Sequence, residues 1–103
     1  MAEFVKVAKA EEIPPGQVNV YEVDGRRIAV CNVDGAFYAI DDVCTHDGGS
    51  LDQGQLEGDQ IECPRHGARF DVKTGRPLTL PAVMPVHSYP VQVEGDAIRV
   101  EVE

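Results

Sequence analysis

Gln17–Asp41 reads QVNVYEVDGRRIAVCNVDGAFYAID, and this stretch decides the fold. Gln17–Val23, Arg27–Val33 and Phe37–Asp41 carry the period-2 pattern and the β-branched and aromatic residues of half-buried strands. Asp24-Gly25 and Asp34-Gly35 separate these runs. Asp-Gly readily takes the positive φ values of a two-residue hairpin turn, so consecutive runs are expected to pair antiparallel. Upstream, Phe4–Lys9 continues the alternation. Downstream, Tyr89–Val93 and Ala97–Val102 flank Glu94-Gly95-Asp96, a third hairpin signal. No window of about 11 residues or more carries a helical period, and Ala10–Ile13 predicts one short turn. The expected class is all-β, with an antiparallel framework built from both ends of the chain.

The whole chain has 103 residues, 43% of them hydrophobic, and a formal charge of −9. That balance suits a single globular domain over 1–103 and is too apolar for a disordered chain. The core is small, so a cross-link between segments would help hold it. No apolar run is long enough to span a membrane, and the first twenty residues lack the apolar centre of a signal peptide. An acidic surface offers little to phosphate groups, which argues against nucleic acid as a partner. The expected location is the cytoplasm.

Between Asp41 and Glu62 the pattern changes. Seven carboxylates (Asp41, Asp42, Asp47, Asp52, Glu57, Asp59, Glu62) occur there without a Lys or Arg, and glycines at 48, 49, 54 and 58 forbid a long regular element. From Cys63 to Pro77 the sign reverses, with Arg65, Arg69, Lys73 and Arg76 against Asp71 alone. Short strands at Gln60–Cys63 and Arg69–Val72 are expected to bracket a second loop. Pro81-Ala-Val-Met-Pro85 then forms an apolar loop stiffened by proline at both ends.

Each loop opens with one thiol and one imidazole: Cys44-Thr-His46 and Cys63-Pro-Arg-His66, with 16 residues between His46 and Cys63. Such short gaps let both side chains of a loop reach one small volume. Thiolate and imidazole are ligands for zinc and for iron in iron–sulfur sites. A disulfide between Cys44 and Cys63 is a competing use of the thiols, but nothing in the sequence points to an oxidising compartment. Zinc sites commonly pair two Cys and then two His, whereas here each loop supplies one of each. That mixed order suits two irons with unequal ligation. Four protein ligands leave no open coordination position, and no nucleophile–base pair is visible, so an electron carrier is expected and not an enzyme.

Cys44-Thr-His46 … Cys63-Pro-Arg-His66-Gly resembles the binding motif of Rieske proteins, and the likeness in layout runs over nearly the whole chain. It implies an antiparallel β-sandwich with a small cluster-binding subdomain, about 42–84, made of two ligand loops and a proline loop. It implies one [2Fe–2S] cluster, with Cys44 and Cys63 on the buried iron and His46 and His66 on the outer one through their δ nitrogens. The subtype resembled is the soluble ferredoxin of bacterial ring-hydroxylating (non-haem iron) oxygenase systems, which passes electrons from a flavin reductase to a terminal oxygenase. The high-potential branch of the family instead carries an extra Cys in each loop, where this chain has Gly49 and Arg65, and Ser and Tyr hydroxyls where it has Ala68 and Phe70. That branch also has an N-terminal membrane anchor, whereas this sequence opens on a strand-like run.

Two alternatives stay open at this point. One is a Rieske-like small subunit of a larger enzyme such as nitrite reductase; the other is a structural zinc module. Beside the ligands, Cys31 is expected to pack as a small buried hydrophobe, and His87 has no assigned role. Met84, Pro81 and Pro85 are expected to cover the cluster, and Asp47 and Arg65 to be solvated charges or partner contacts.

Overall fold

The computed structural model describes residues 3–43, 51, 54–64, 67–79 and 84–102. The elements in chain order are β1 (Glu3–Lys9), a 3-10 turn (Ala10–Glu12), β2 (Val18–Val23), β3 (Arg26–Val33), β4 (Ala36–Asp41), β5 (Gln55–Glu57), β6 (Gln60–Glu62), β7 (Arg69–Asp71), β8 (Ser88–Tyr89), β9 (Val91–Glu94) and β10 (Ala97–Val102). All strand pairs are antiparallel. They form three sheets with the orders β1-β10-β9, β2-β3-β4-β8 and β5-β6-β7. The all-β expectation is met, and no helix among the described residues is long and apolar enough to cross a membrane.

The two Asp-Gly turns behave as their chemistry dictates. Asp24 and Gly25 have φ of 51° and 76°, and Asp34 and Gly35 have 50° and 93°. Positive φ at both central residues matches the right-handed twist of the flanking strands, and it sets the β2–β3 and β3–β4 registers.

The four-stranded sheet is the middle layer. On one face Ile28, Val30 and Ala39 pack with Ile13, Tyr89, Ile98 and Val100. On the other, Ala29, Cys31 and Ile40 pack with Ile61, Phe70 and Val72 of the segment that carries β5–β7, and with Val86. Because β3 is covered on both faces, Ile28-Ala-Val-Cys31 is apolar without a break. Burying a side chain such as Ile28 or Val30 contributes about 1.5–3 kcal/mol.

Two expectations need correction. Tyr89–Val93 is not one strand: Tyr89 pairs with Ala39 in the middle sheet, whereas Val91 pairs with Val100 in the outer one. Pro90 lies at the switch, where it has no N–H to give, and its carbonyl accepts from the Glu101 N–H at 3.0 Å. The second correction is β5, a three-residue strand between Gly54 and Gly58 that the glycine-rich composition concealed. The strand expected over Gln60–Cys63 ends at Glu62, and that over Arg69–Val72 ends at Asp71.

Candidate metal centre

Cys63 directly follows β6, and its position rests on two backbone hydrogen bonds. Its N–H donates to the Ala68 carbonyl at 2.6 Å, and its carbonyl accepts from the Gly67 N–H at 3.1 Å. The chain is thereby folded back on itself between β6 and β7. On the exposed side, Arg69 reaches Glu57 at 3.3 Å and Glu62 at 3.0 Å, joining β7 to β5 and β6. Those carboxylates hold the guanidinium proton more firmly, the hydrogen bond to Glu57 contributing most.

Cys63 is 1% exposed and its thiol is free. Around it are Leu51, Ile61, Ala68, Phe70 and Val86, all buried in one cluster. A thiol that is unbridged, held by a closed turn and kept from water fits the sulfur end of an iron–sulfur site. Ala68 and Phe70 stand fully buried in that cluster and bring no hydroxyl to it.

The other expected ligands, Cys44, His46 and His66, lie outside the described residues, as do Asp47, Arg65 and Pro81. Among the described residues, accordingly, no three His, Cys, Asp or Glu side chains converge as a metal site. Met84 is 61% exposed, so it is no part of the core, while Val86 just beyond it is buried.

Val86 is fastened by Gly75. The Val86 N–H donates to the Gly75 carbonyl at 2.9 Å, and the Gly75 N–H donates to the Asp71 carbonyl at 2.7 Å. Gly75 has φ of 81°, and an added Cβ would overlap the Val86 carbonyl oxygen. Gly75→Ala is therefore expected to cost about 2 kcal/mol or more and lower Tm by roughly 10 °C. A thermal melt within 2–3 °C of wild type (about 0.5 kcal/mol) contradicts this.

Cys31 packs in the same cluster as Cys63 and is inaccessible, as expected. Burial, and then the negative charge of Asp42, push its thiol pKa up to about 12, so it stays protonated and unreactive. Asp42 is an addition that sequence reading missed: its carboxylate is buried and pairs with Arg27. The only hint was their place opposite each other once the Asp34-Gly35 turn sets the register.

His87 is exposed and lies edge-on to Tyr89, with ring centroids 4.4 Å apart. The Tyr89 hydroxyl donates to Asp41, and burial foremost raises its pKa. These side chains line an open cleft of about 600 Å³ with Arg26 and Glu101.

Residues 3–90 match the Rieske [2Fe-2S] domain. The ferredoxin component of the naphthalene 1,2-dioxygenase system of Pseudomonas aeruginosa is 43% identical over 99 residues, which is 96% of this chain and 95% of the relative. The solved ferredoxin of carbazole 1,9a-dioxygenase from Nocardioides aromaticivorans IC177 superposes with a TM-score of 0.91 at 40% identity, covering 94% of this chain and 95% of that one. A complex of reduced oxygenase and oxidised ferredoxin in carbazole 1,9a-dioxygenase contains a chain with a TM-score of 0.88 and 39% identity, over 94% of this chain and 91% of that one.

Proposed function

The chain belongs to the Rieske [2Fe-2S] domain family, and we propose that Cys44 and Cys63 hold one iron of its cluster and His46 and His66 the other. It is an electron-transfer component of a dioxygenase-type system and not itself an enzyme. We place it in the cytoplasm, between a flavin-dependent reductase and a terminal oxygenase. Residues 1–103 form one Rieske unit in this reading, with the cluster-binding part at about 42–84 inserted in the β framework. The observation that carries the carrier function is the near full-length likeness to ferredoxin components. Cys63 supports the ligand set, because its thiol is free, buried and held at the start of a closed turn.

The bound cluster supplies one reversible electron. The chain's own residues decide where that electron sits and how it leaves. Cys63 and its apolar neighbours keep water from the sulfur side. His46 and His66 would hold the second iron, and in this reading a partner would receive the electron on their side. A carrier must bind, transfer and release, so a small polar contact suits it better than a large apolar one. Family membership removes the zinc module from consideration. The visible spectrum tests this directly: purified protein should be red-brown, and colourless zinc-loaded protein would overturn the assignment.

Charge should govern the encounter. A protein with a net charge of −9 attracts a basic partner surface over a distance that salt shortens. The second-order rate of electron transfer with the cognate reductase is expected to fall as ionic strength rises. Asp47→Lys, next to His46 in the sequence, should change that rate more than Glu94→Lys in β9 of the β1-β10-β9 sheet. Stopped-flow rates that stay flat or rise with salt contradict steering by bulk charge. Equal effects of the two substitutions remove the case for docking at the histidines.

A further inference from the structure

Two residues before Cys44, Asp42 brings a carboxylate into the protein interior. Its side chain is 0% exposed, while that of Arg27, whose guanidinium lies 3.2 Å away, is 58% exposed. The Asp42 N–H also donates to the Arg27 carbonyl at 3.0 Å. The β3–β4 register places Ala29 opposite Ile40 and Cys31 opposite Tyr38. By alternation, Arg27 and Asp42 continue that row, on the face covered by the cluster of side chains that includes Cys63.

We propose that Asp42 is a potential-setting residue, a buried negative charge held in place by Arg27 that keeps the reduction potential low. The inference rests on the ligand assignment above, because it needs the cluster beside Cys44 and Cys63. Reduction adds one electron, and no bond to protein is made or broken. The added negative charge is less favourable near a fixed carboxylate. Arg27 does not cancel this effect, because the two charges lie in different media. Solvent screens the guanidinium, whereas the field of a buried carboxylate passes through poorly polarisable protein. The thiol of Cys31 responds to that field: the Asp42 charge adds to burial in raising its pKa.

The test is the midpoint potential of cluster-loaded protein. Asp42→Asn keeps the shape and removes the charge, and it is expected to favour the reduced form about tenfold, which is about 59 mV upward for one electron. Arg27→Gln removes the guanidinium's positive charge and should move the potential downward by a smaller amount. Glu94→Gln, in the outer sheet, should leave it unchanged. Opposite signs from the two partners are the signature of charge, since loosened packing does not change sign with the charge removed. An unmoved potential in Asp42→Asn, or shifts of the same sign in both variants, overturns the proposal. If Asp42→Asn does not take up the cluster, the direction of the shift in Arg27→Gln decides alone. Colourless wild-type protein would count against the ligand assignment instead, so the two failures are distinguishable.

Discussion

Cys63→Ala and His66→Ala are each expected to yield colourless protein that melts at least about 10 °C below the coloured form. With the proposed ligands, the cluster would join Cys44 to the turn beginning at Cys63, in a chain of 103 residues with a small core divided between two faces of one sheet. Metal bound only by the folded state adds its binding free energy to stability. For a domain of this size 1 kcal/mol moves Tm by about 4–8 °C, so even a contribution of about 3 kcal/mol exceeds the stated shift. Cys63→Ala also opens a space beside Leu51, Ile61 and Phe70. His66→Ala separates loss of the cluster from that packing cost. If apo wild-type protein melts with the coloured form, the cluster carries charge without holding the fold.

The second expectation concerns the potential itself. Voltammetry should place the wild-type protein at the low end of the Rieske range, about −150 mV, in a family that extends to about +300 mV. Hydrogen bonds to the cluster and its sulfur ligands stabilise the electron-rich reduced state, so their absence lowers the potential. Ala68 and Phe70 are both fully buried in the cluster of side chains around Cys63, and neither has a hydroxyl. The Ala68→Ser, Phe70→Tyr double variant should raise the potential by about 59 mV or more, a tenfold gain for the reduced form. A buried hydroxyl left without an acceptor costs about 1–3 kcal/mol, so the variant should be stable only if the new groups find a partner. A wild-type potential well above zero, or no rise in the double variant, contradicts the argument.

The residues differ in how much of their role was legible from their neighbours along the chain. Asp24-Gly25 and Asp34-Gly35 announced their turns because a dipeptide's preference for positive φ is local. Cys44-Thr-His46 and Cys63-Pro-Arg-His66 announced a metal chemistry because ligand type and short spacing are properties of the chain itself. Tyr89–Val93 misled for the same reason: alternation says that a strand is present, not which sheet it joins, and Pro90 divides the segment between two. Met84 sits in an apolar loop that by composition could belong to the core, yet the residue is 61% exposed.

By itself, then, the sequence determined the all-β class, the hairpins of the framework and the Rieske motif, all of which depend on backbone preference and donor chemistry within a few residues. The tertiary structure decided the rest. It covered β3 on both faces, so that Ile28 and Val30 serve one core and Ala29 and Cys31 the other. It left the Cys63 thiol free and dry behind a closed turn, and it buried Asp42 while leaving its partner Arg27 in solvent. Burial depends on what packs from outside a strand. Asp42 and Arg27, 15 positions apart in the chain, become a pair only when the β3–β4 register brings them together.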